Sequence, residues 1–158
     1  MIRGIHHVGL HTPNMERMLE FYNKGLGFEI KFDGDWADSA GLDHVLGLDD
    51  TAGRVVVLNA GNLHIELFQY VKPAPKEAES LRACDYGYTH IGLDVTDVDA
   101  ARERLTALGI RFERRPVDLG PVKLIYGKDP DGNLLEIQEF LEEDHPTAFK
   151  NLRMPADL

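Results

Sequence analysis

Two stretches of this chain begin in nearly the same way. His7–Leu10 reads HVGL and His90–Leu93 reads HIGL, and aligning the two histidines is a shift of 83 residues. Each stretch is followed by the pattern of one helix and then by those of short strands. Such a spacing is typical of a repeated structural module. The repeat therefore predicts a chain built from two copies of a module with one strand, one helix and three further strands.

Each copy places a capped amphipathic helix after its first strand. In the first copy Thr12 is the predicted N-cap and Pro13 the first turn, and the helix is expected to end at Gly25 or Gly27. In the second copy the predicted helix runs from a cap at Thr96–Asp97 to Gly109. Apolar residues recur on one face of both helices, at Met15, Met18, Leu19 and Tyr22, and at Val98, Ala101, Leu105 and Leu108.

Six further strand patterns complete the two modules. They are predicted at 28–33, 53–60 and 62–70, and again at 110–115, 121–127 and 133–140. Residues 34–52 form a less regular insertion that is expected to hold a strand or a lid, with Trp36 lining a substrate pocket or anchoring the loop. The predicted boundaries are 1–71 for the first module, 72–86 for a linker, 87–140 for the second module and 141–158 for a tail. One compact domain is expected overall.

Composition excludes several classes of protein. The 17 basic and 27 acidic residues give a net charge of −10, which would repel a nucleic-acid backbone. No apolar run reaches the roughly 18 residues that a membrane span needs. The single cysteine, Cys84, and the lack of a secretion-signal pattern predict a cytoplasmic location. The one basic cluster, Arg111, Arg114 and Arg115, is interpreted as a solvent-facing strand end.

Alternation along the strands predicts which polar side chains share a face. Four strands each have one aliphatic face and one face with polar or small residues. His7 and Glu66 fall on the polar faces of the first module, and His90 and Glu136 fall on those of the second. Two imidazoles and two carboxylates at equivalent places in two repeats are a suitable donor set for a divalent metal ion. These four residues are therefore predicted to be metal ligands.

Other polar residues are candidates for supporting roles. Tyr126 has the same parity as Glu136, so it is expected either to point into the same cavity or to be structural. His6 has the opposite parity to its neighbour and is assigned to packing or to the surface. His11 and His64 share the metal-facing sides, where they are expected to orient ligands, contact substrate or face solvent. No role is inferred for His44.

These residues carry a resemblance to a known family. The HVGL and HIGL strand starts, the helix end at 21–28, the strand of Glu66 and the segment Asp129–Glu136 (DPDGNLLE) resemble the vicinal oxygen chelate superfamily, also called the glyoxalase, bleomycin-resistance and extradiol-dioxygenase fold group. The resemblance covers residues 4–140. It implies an α+β fold in which two βαβββ modules form a cupped eight-stranded mixed sheet, with helices on the convex side and the metal on the concave side.

The subfamilies of this group agree with the chain at some ligand or substrate-binding positions and differ from it at others. Bacterial-type glyoxalase I carries glutathione-binding Arg and Asn at positions that hold His11 and Tyr70 here. Methylmalonyl-CoA epimerase resembles the first module, but it usually has Gln at the position of Glu66. The ligand triad of extradiol dioxygenases and its accompanying tyrosine correspond to His7, His90, Glu136 and Tyr126. The substrate therefore stays open.

The resemblance and the ligand set together give a leading hypothesis. It is a metal-dependent lyase or isomerase that acts on a small carbonyl substrate through a metal-stabilised enediolate, with Ni, Co, Mn, Fe(II) or Zn as the ion. Glu136 is the first choice for the carboxylate that moves the proton, and Glu66 is the second. The alternatives are an Fe(II) extradiol-type dioxygenase with Tyr126 in support, an epimerase of acyl-CoA type substrates, and a metal-free small-molecule binding protein. A homodimer is expected.

Overall fold

Two four-stranded sheets make up the β-structure of the described chain. The structure is a computed structural model, and it describes residues 3–76 and 81–152. The chain divides into two compact units, Ile5–Ala78 and Glu79–Leu158, and the second unit also includes Met1–Gly4. Each unit contains one of the sheets. None of the helices in the described ranges is long and apolar enough to cross a membrane.

The first unit contains four strands and two α-helices. In chain order they are β1 (His7–His11), α1 (Met15–Leu19), β2 (Glu29–Trp36), α2 (Ala40–Leu46), β3 (Ala52–Asn59) and β4 (His64–Lys72). A π-helical segment, Glu20–Gly25, continues α1. The sheet order is β1-β4-β3-β2, with β1 parallel to β4 and the other neighbours antiparallel. The first and last strands of the module are therefore neighbours.

The second unit repeats this topology. Its elements are β5 (His90–Asp94), α3 (Val98–Ala107), β6 (Val117–Asp118), β7 (Val122–Lys128) and β8 (Leu134–Phe140), and a short 3₁₀ turn, Phe149–Asn151, follows in the tail. The sheet order is β5-β8-β7-β6, and β5 runs parallel to β8. The predicted α+β fold with two βαβββ modules is confirmed.

One face of each sheet packs against a helix. Ile65 and Leu67 of β4 are buried together with Met15 and Met18 of α1. In the second unit the buried set consists of Val98 and Leu105 on α3, Ile125 on β7, and Leu135 and Ile137 on β8. Each such side chain contributes about 1.5–3 kcal/mol on burial. Because burial alternates along β4 and β8, their other side chains lie on the face away from the helix.

A strand side chain holds the start of the helix in each unit. Gln69 Oε1 accepts a hydrogen bond from the Met15 backbone N–H at 3.1 Å, and Glu139 Oε2 accepts one from the Val98 backbone N–H at 3.0 Å. These bonds satisfy N–H groups that a helix leaves unpaired at its first turn. Each helix is thereby tied to the strand that carries a predicted metal-ligating glutamate.

The predicted start of the first helix was wrong by two residues. Asn14 is the N-cap, and its side chain accepts a hydrogen bond from the Arg17 backbone N–H at 3.0 Å. The Thr12 hydroxyl instead accepts from the Asn14 backbone N–H, so Thr12 belongs to the turn before the helix. In the second unit Asp97 is the cap and bonds to the Ala100 backbone N–H at 2.9 Å.

The strand predicted at 110–115 was also wrong. Within this described segment the ladder contact is one isolated bridge between Arg111 and Lys128, and regular pairing resumes in the two residues of β6. Pro116 lacks the N–H that a ladder requires, which limits pairing here. The three arginines of the basic cluster are exposed, as interpreted from the sequence.

The insertion at 34–52 holds the end of β2 and the helix α2. Ser39 caps this helix, and Gly47 ends it in the left-handed conformation with φ 66°. Asp43 accepts hydrogen bonds from the backbone N–H groups of Thr51 and Asp50, at 2.9 and 3.2 Å. A strand or a lid was predicted in this insertion, so the sequence did not predict this helix. No side chain of α2 is buried, so the sequence lacks an apolar stripe that would predict it.

Two candidate metal half-sites

The first half-site lies on two parallel neighbouring strands. His7 is at the start of β1 and Glu66 is on β4, in a register that pairs Gly9 with Glu66. His7 Nε2 lies 3.6 Å from Glu66 Oε2. The side chains are 46% and 18% exposed, so the imidazole faces solvent more than the carboxylate does. The sheet therefore brings together two residues that are far apart in sequence.

The second half-site has the same construction. His90 is at the start of β5 and Glu136 is on β8, in a register that pairs Gly92 with Glu136. His90 Nε2 lies 3.2 Å from Glu136 Oε2, and the two side chains are 33% and 14% exposed. In both units a glycine two residues after the histidine is paired with the glutamate. The repeat seen in the sequence is thus a repeat of local geometry.

Tyr126 adds a third side chain to the second half-site. It is paired with Glu136 across β7 and β8. Its hydroxyl donates a hydrogen bond to Glu136 Oε2 at 2.6 Å and lies 3.4 Å from His90 Nε2. Burial, and then the hydrogen bond to Glu136, raise the pKa of Tyr126 to about 12. The hydroxyl therefore keeps its proton throughout the neutral range and acts as a donor.

The donor atoms of each half-site fit a divalent cation. Two neighbouring ligands of an octahedral ion with bonds of roughly 2.1 Å are separated by about 3 Å. The observed separations of imidazole nitrogen and carboxylate oxygen, 3.6 and 3.2 Å, are close to this value. Both pairs are partly accessible, as a site for an ion and a substrate requires. Each unit therefore brings its predicted pair of ligands into a usable arrangement.

His6 lies beside the first half-site, although strand alternation assigned it to packing or to the surface. Its Nδ1 is 3.0 Å from His7 Nδ1, and the ligand atoms of His6, His7 and Glu66 lie within 4.8 Å of one another. The side chain is exposed, but it does not point away from its neighbour. Parity failed because β1 begins at His7, so His6 precedes the regular strand. The sequence feature that could have indicated this contact is a second histidine directly before the predicted ligand His7.

His64 and His44 have different environments. The His64 ring lies 4.9 Å from the ring of His6, and within the described part of the chain its buried Nδ1 has no hydrogen-bond partner. It is therefore part of the surroundings of the first half-site. His44 lies on α2 and is exposed.

Four ring side chains extend the side of the first sheet that carries His7 and Glu66, and we call them the aromatic wall: His11, Trp36, Phe68 and Tyr70. His11 stacks on Tyr70, with ring centroids 5.3 Å apart and planes at 12°. Trp36 meets Tyr70 edge-on at 5.0 Å, and its Nε1 donates to the Thr51 hydroxyl. Burial lowers the pKa of His11, which favours the uncharged imidazole. The wall is therefore largely apolar.

Comparisons with known proteins agree with this architecture. The glyoxalase/bleomycin resistance protein/dioxygenase superfamily matches residues 4–137. A 2-epi-5-epi-valiolone epimerase from Actinomyces sp is 32% identical over 85% of this chain and 78% of its own length. A lactoylglutathione lyase from Pseudomonas putida is 28% identical over 83% of this chain and 82% of its own length.

A solved structure shows the same fold. The glyoxalase family protein from Bacillus cereus superposes with a TM-score of 0.79 and 20% identity, covering 90% of this chain and 96% of its own. This superposition and the family match over residues 4–137 both agree with the repeated strand order that the two units show. The chain therefore belongs to the glyoxalase/bleomycin resistance protein/dioxygenase superfamily.

Proposed function

We propose that this protein is a metal-dependent lyase or isomerase that moves a proton beside the carbonyl group of a small substrate. The observation that supports this most directly is the duplicated pair of histidine and glutamate, His7 with Glu66 and His90 with Glu136. The proposal treats these four residues as the ligands of one divalent ion. Relatives named as an epimerase and as a lyase agree with proton-transfer chemistry of this kind.

The ligand set leaves room for a substrate. Two imidazole and two carboxylate ligands would fill four positions of a six-coordinate ion and leave two for substrate, and Ni, Co, Mn, Fe(II) and Zn all accept such donors. When bound, the ion would supply Lewis-acid polarisation of the substrate oxygens, which lowers the cost of removing the neighbouring proton. Binding, orientation and proton movement fall to the side chains of the protein.

Glu136 is the proposed proton carrier. The Tyr126 hydroxyl donates to its Oε2, which fixes the carboxylate and stabilises its negative charge. To exchange a proton with the substrate, the carboxylate would have to loosen from the ion when substrate binds, because a metal-bound carboxylate is a weak base. Because the pKa of Tyr126 is raised to about 12, this hydrogen bond persists across the neutral range. Glu66 is the second candidate, since it lies at the equivalent place in the first unit.

Deuterium exchange tests this proposal without knowledge of the natural substrate. The protein, loaded with Ni or Mn, is incubated in D₂O with a panel of small 2-hydroxy ketones and acyl-CoA thioesters, and exchange at the carbon beside the carbonyl is followed by NMR. Exchange is expected, and it should fall at least roughly 100-fold in Glu136→Gln. Glu66→Gln tests the second candidate, and Glu103→Gln, an exposed glutamate on α3, is the matched control.

The same experiment separates the reaction classes. Exchange with inversion at the carbon centre indicates an epimerase, whereas formation of a new constitutional product indicates a lyase or another isomerase. Full exchange by Glu136→Gln with full metal content would contradict the proton-carrier assignment. A protein that gains no metal from any of the five ions would instead agree with a metal-free binding protein and would contradict the proposal.

An Fe(II) ring-cleaving dioxygenase is the second candidate function. The convergence of Tyr126, His90 and Glu136 favours it, because a tyrosine beside a histidine and carboxylate pair suits oxygen chemistry on a phenolic ring. Anaerobic loading with Fe(II), followed by catechols and then oxygen, tests it directly. Oxygen uptake with a ring-cleaved product would establish this function in place of proton transfer.

Three further predictions belong with this proposal. The first is the division into modules at 1–71 and 87–140, with a linker at 72–86 and a tail at 141–158. The second is a homodimer, for which sedimentation equilibrium is the direct measurement. The third is a cytoplasmic location, which cell fractionation would test.

A further inference from the structure

We propose that the residue immediately before each ligand histidine, His6 in the first unit and Thr89 in the second, is a positioning residue. Each would fix the tautomer and the orientation of the histidine that follows it. His6 Nδ1 lies 3.0 Å from His7 Nδ1, and Thr89 Oγ1 lies 2.9 Å from His90 Nδ1. The inference rests on the proposed metal site and adds two residues to it.

The recurrence of this contact in both units is the first argument. His6 and Thr89 occupy equivalent places in the repeat, directly before β1 and β5. Consecutive side chains of a regular strand point to opposite faces, so a contact between neighbours is unusual there. Both residues lie just outside the strands and are free of this alternation. Two chemically different side chains thus contact the same ring nitrogen, Nδ1, of the two equivalent histidines.

The second argument is the chemistry of the imidazole. In each half-site Nε2 is the nitrogen that faces the carboxylate, at 3.6 Å for His7 and 3.2 Å for His90. A neutral imidazole offers a lone pair at Nε2 only when its proton is on Nδ1. An acceptor placed at Nδ1 stabilises that tautomer and stops rotation of the ring. His6 Nδ1 and the Thr89 hydroxyl are both able to accept this hydrogen bond.

The third argument is that His6 is itself held in place. Its ring lies 4.9 Å from the ring of His64, with 31° between the planes. Its backbone carbonyl accepts a hydrogen bond from the His64 backbone N–H at 2.9 Å. Both contacts tie the segment before β1 to the start of β4, the strand that carries Glu66. The backbone bond fixes where the His6 side chain begins, and the His64 ring restricts where the His6 ring can lie beside His7.

Matched substitutions separate this role from a merely structural one. His6→Phe and Thr89→Val keep the approximate shape but remove the acceptor, whereas His6→Asn and Thr89→Ser keep an acceptor near the same place. The first readout is nitrogen-15 NMR of the imidazoles in metal-free protein at mildly alkaline pH. The second is the dissociation constant for Mn or Ni, measured by competition with a chelator. The third is the number of coordinated imidazoles in the Mn(II) form, from pulsed EPR.

The proposal predicts a specific result for each of these measurements. In metal-free protein the carboxylate facing Nε2 favours a proton on that nitrogen, so wild-type His7 and His90 should show two tautomers, with the Nδ1-protonated form clearly populated. His6→Phe should shift only His7, and Thr89→Val only His90, toward the Nε2-protonated tautomer. Each should weaken metal binding by about 10–100-fold, a typical loss for a group that orients a ligand. His6→Asn and Thr89→Ser should restore both properties. The number of coordinated imidazoles should stay the same in every variant.

Three results would overturn it. They are wild-type histidines with no detectable Nδ1-protonated form, acceptor-free variants with unchanged tautomer populations, and loss of one coordinated imidazole in His6→Phe, which would make His6 a ligand. The NMR readout does not depend on metal. A protein that failed to bind any ion would therefore contradict the proposed function, while the tautomers would still decide the role of His6 and Thr89.

Discussion

The Tyr126 hydroxyl donates a 2.6 Å hydrogen bond to Glu136 Oε2, and this contact breaks the symmetry between the two units. Tyr126 is paired with Glu136 across β7 and β8, and Val57 holds the equivalent place opposite Glu66 across β3 and β4. Valine cannot donate a hydrogen bond to the carboxylate. The two glutamates therefore occupy equivalent positions in different chemical surroundings. This difference favours different roles for them, with Glu136 as the proposed proton carrier.

Replacement of Tyr126 by phenylalanine tests this difference in roles. A hydrogen bond to a charged group is worth about 1.5–3 kcal/mol, so Tyr126→Phe should lower kcat/KM roughly 10–100-fold. Metal affinity should change less, because all four proposed ligands remain. Steady-state kinetics and chelator competition measure the two quantities. Tyr86→Phe is the control, since Tyr86 is fully exposed. An equal effect of both substitutions would contradict the assignment.

The pH dependence of the same hydroxyl follows from its environment. Burial and the bond to Glu136 raise the pKa of Tyr126 from 10.0 to about 12 in the folded protein. A group whose pKa is raised by folding stabilises the fold below its unfolded pKa and loses that contribution as pH rises through the folded value. The stability difference between wild type and Tyr126→Phe should therefore be constant below about pH 10 and shrink between about pH 10 and 12. Urea unfolding at a series of pH values measures it, and a difference already lost at neutral pH would contradict the account.

Asp43 should stabilise the protein only above acidic pH. The hydrogen bond from the Thr51 hydroxyl, followed by the backbone bonds from Thr51 and Asp50, lowers the pKa of Asp43 from its ordinary 3.8. A carboxyl whose pKa is lowered by folding contributes stability above its unfolded pKa and loses it as pH falls through the folded value. Asp43→Asn should therefore destabilise the protein at neutral pH and have little effect in strong acid. Asp49→Asn, an exposed neighbour, is the control, and equal denaturation midpoints for both variants would contradict this role.

The helix-covered face of β4 should carry much of the stability of the first unit. Leu67 is fully buried there, so Leu67→Ala should destabilise the protein by about 2–5 kcal/mol through lost burial and a residual cavity. Val71→Ala, on the same strand but 71% exposed, should cost less than about 0.5 kcal/mol. Denaturant unfolding followed by circular dichroism compares the two. Similar losses would mean that the packed face of β4 has been assigned wrongly.

The aromatic wall should affect substrate binding more than metal binding. Tyr70 stacks on His11 and meets Trp36, so Tyr70→Ala would open the side of the first sheet that carries the proposed ligands His7 and Glu66. KM should rise while the metal dissociation constant stays within about twofold, because no proposed ligand is removed. Val117→Ala, at an exposed position of β6, is the control. A large loss of metal affinity in Tyr70→Ala would show that the wall supports the ligands rather than the substrate.

The sequence predicted the repeat and the two His–Glu pairs because strand alternation is a strong geometric rule. His7 and Glu66, and likewise His90 and Glu136, share a face through parity and become neighbours because the first and last strands of each module run side by side. Parity likewise placed Tyr126 on the face of Glu136. These predictions depended on local pattern and on one simple topology.

The features that the sequence missed lie outside regular elements or lack a periodic pattern. His6 and Thr89 precede their strands, where alternation no longer applies. α2 has no buried side chain, so no apolar stripe marks it. The segment before Pro116 has strand-like residues, but it forms only one bridge. Tertiary context, which single-sequence patterns do not contain, decided each of these outcomes.

The most direct test of the central claim is the metal stoichiometry of wild-type protein and of one variant in each half-site. Mass spectrometry of metal content, together with chelator competition, would be applied to wild type, His7→Ala and His90→Ala, with exposed His44→Ala as the control. The account predicts one ion per chain in wild type and in the control, and a large loss of affinity in both half-site variants. Two independent ions, or a loss confined to one variant, would contradict the claim that both His–Glu pairs bind the same ion.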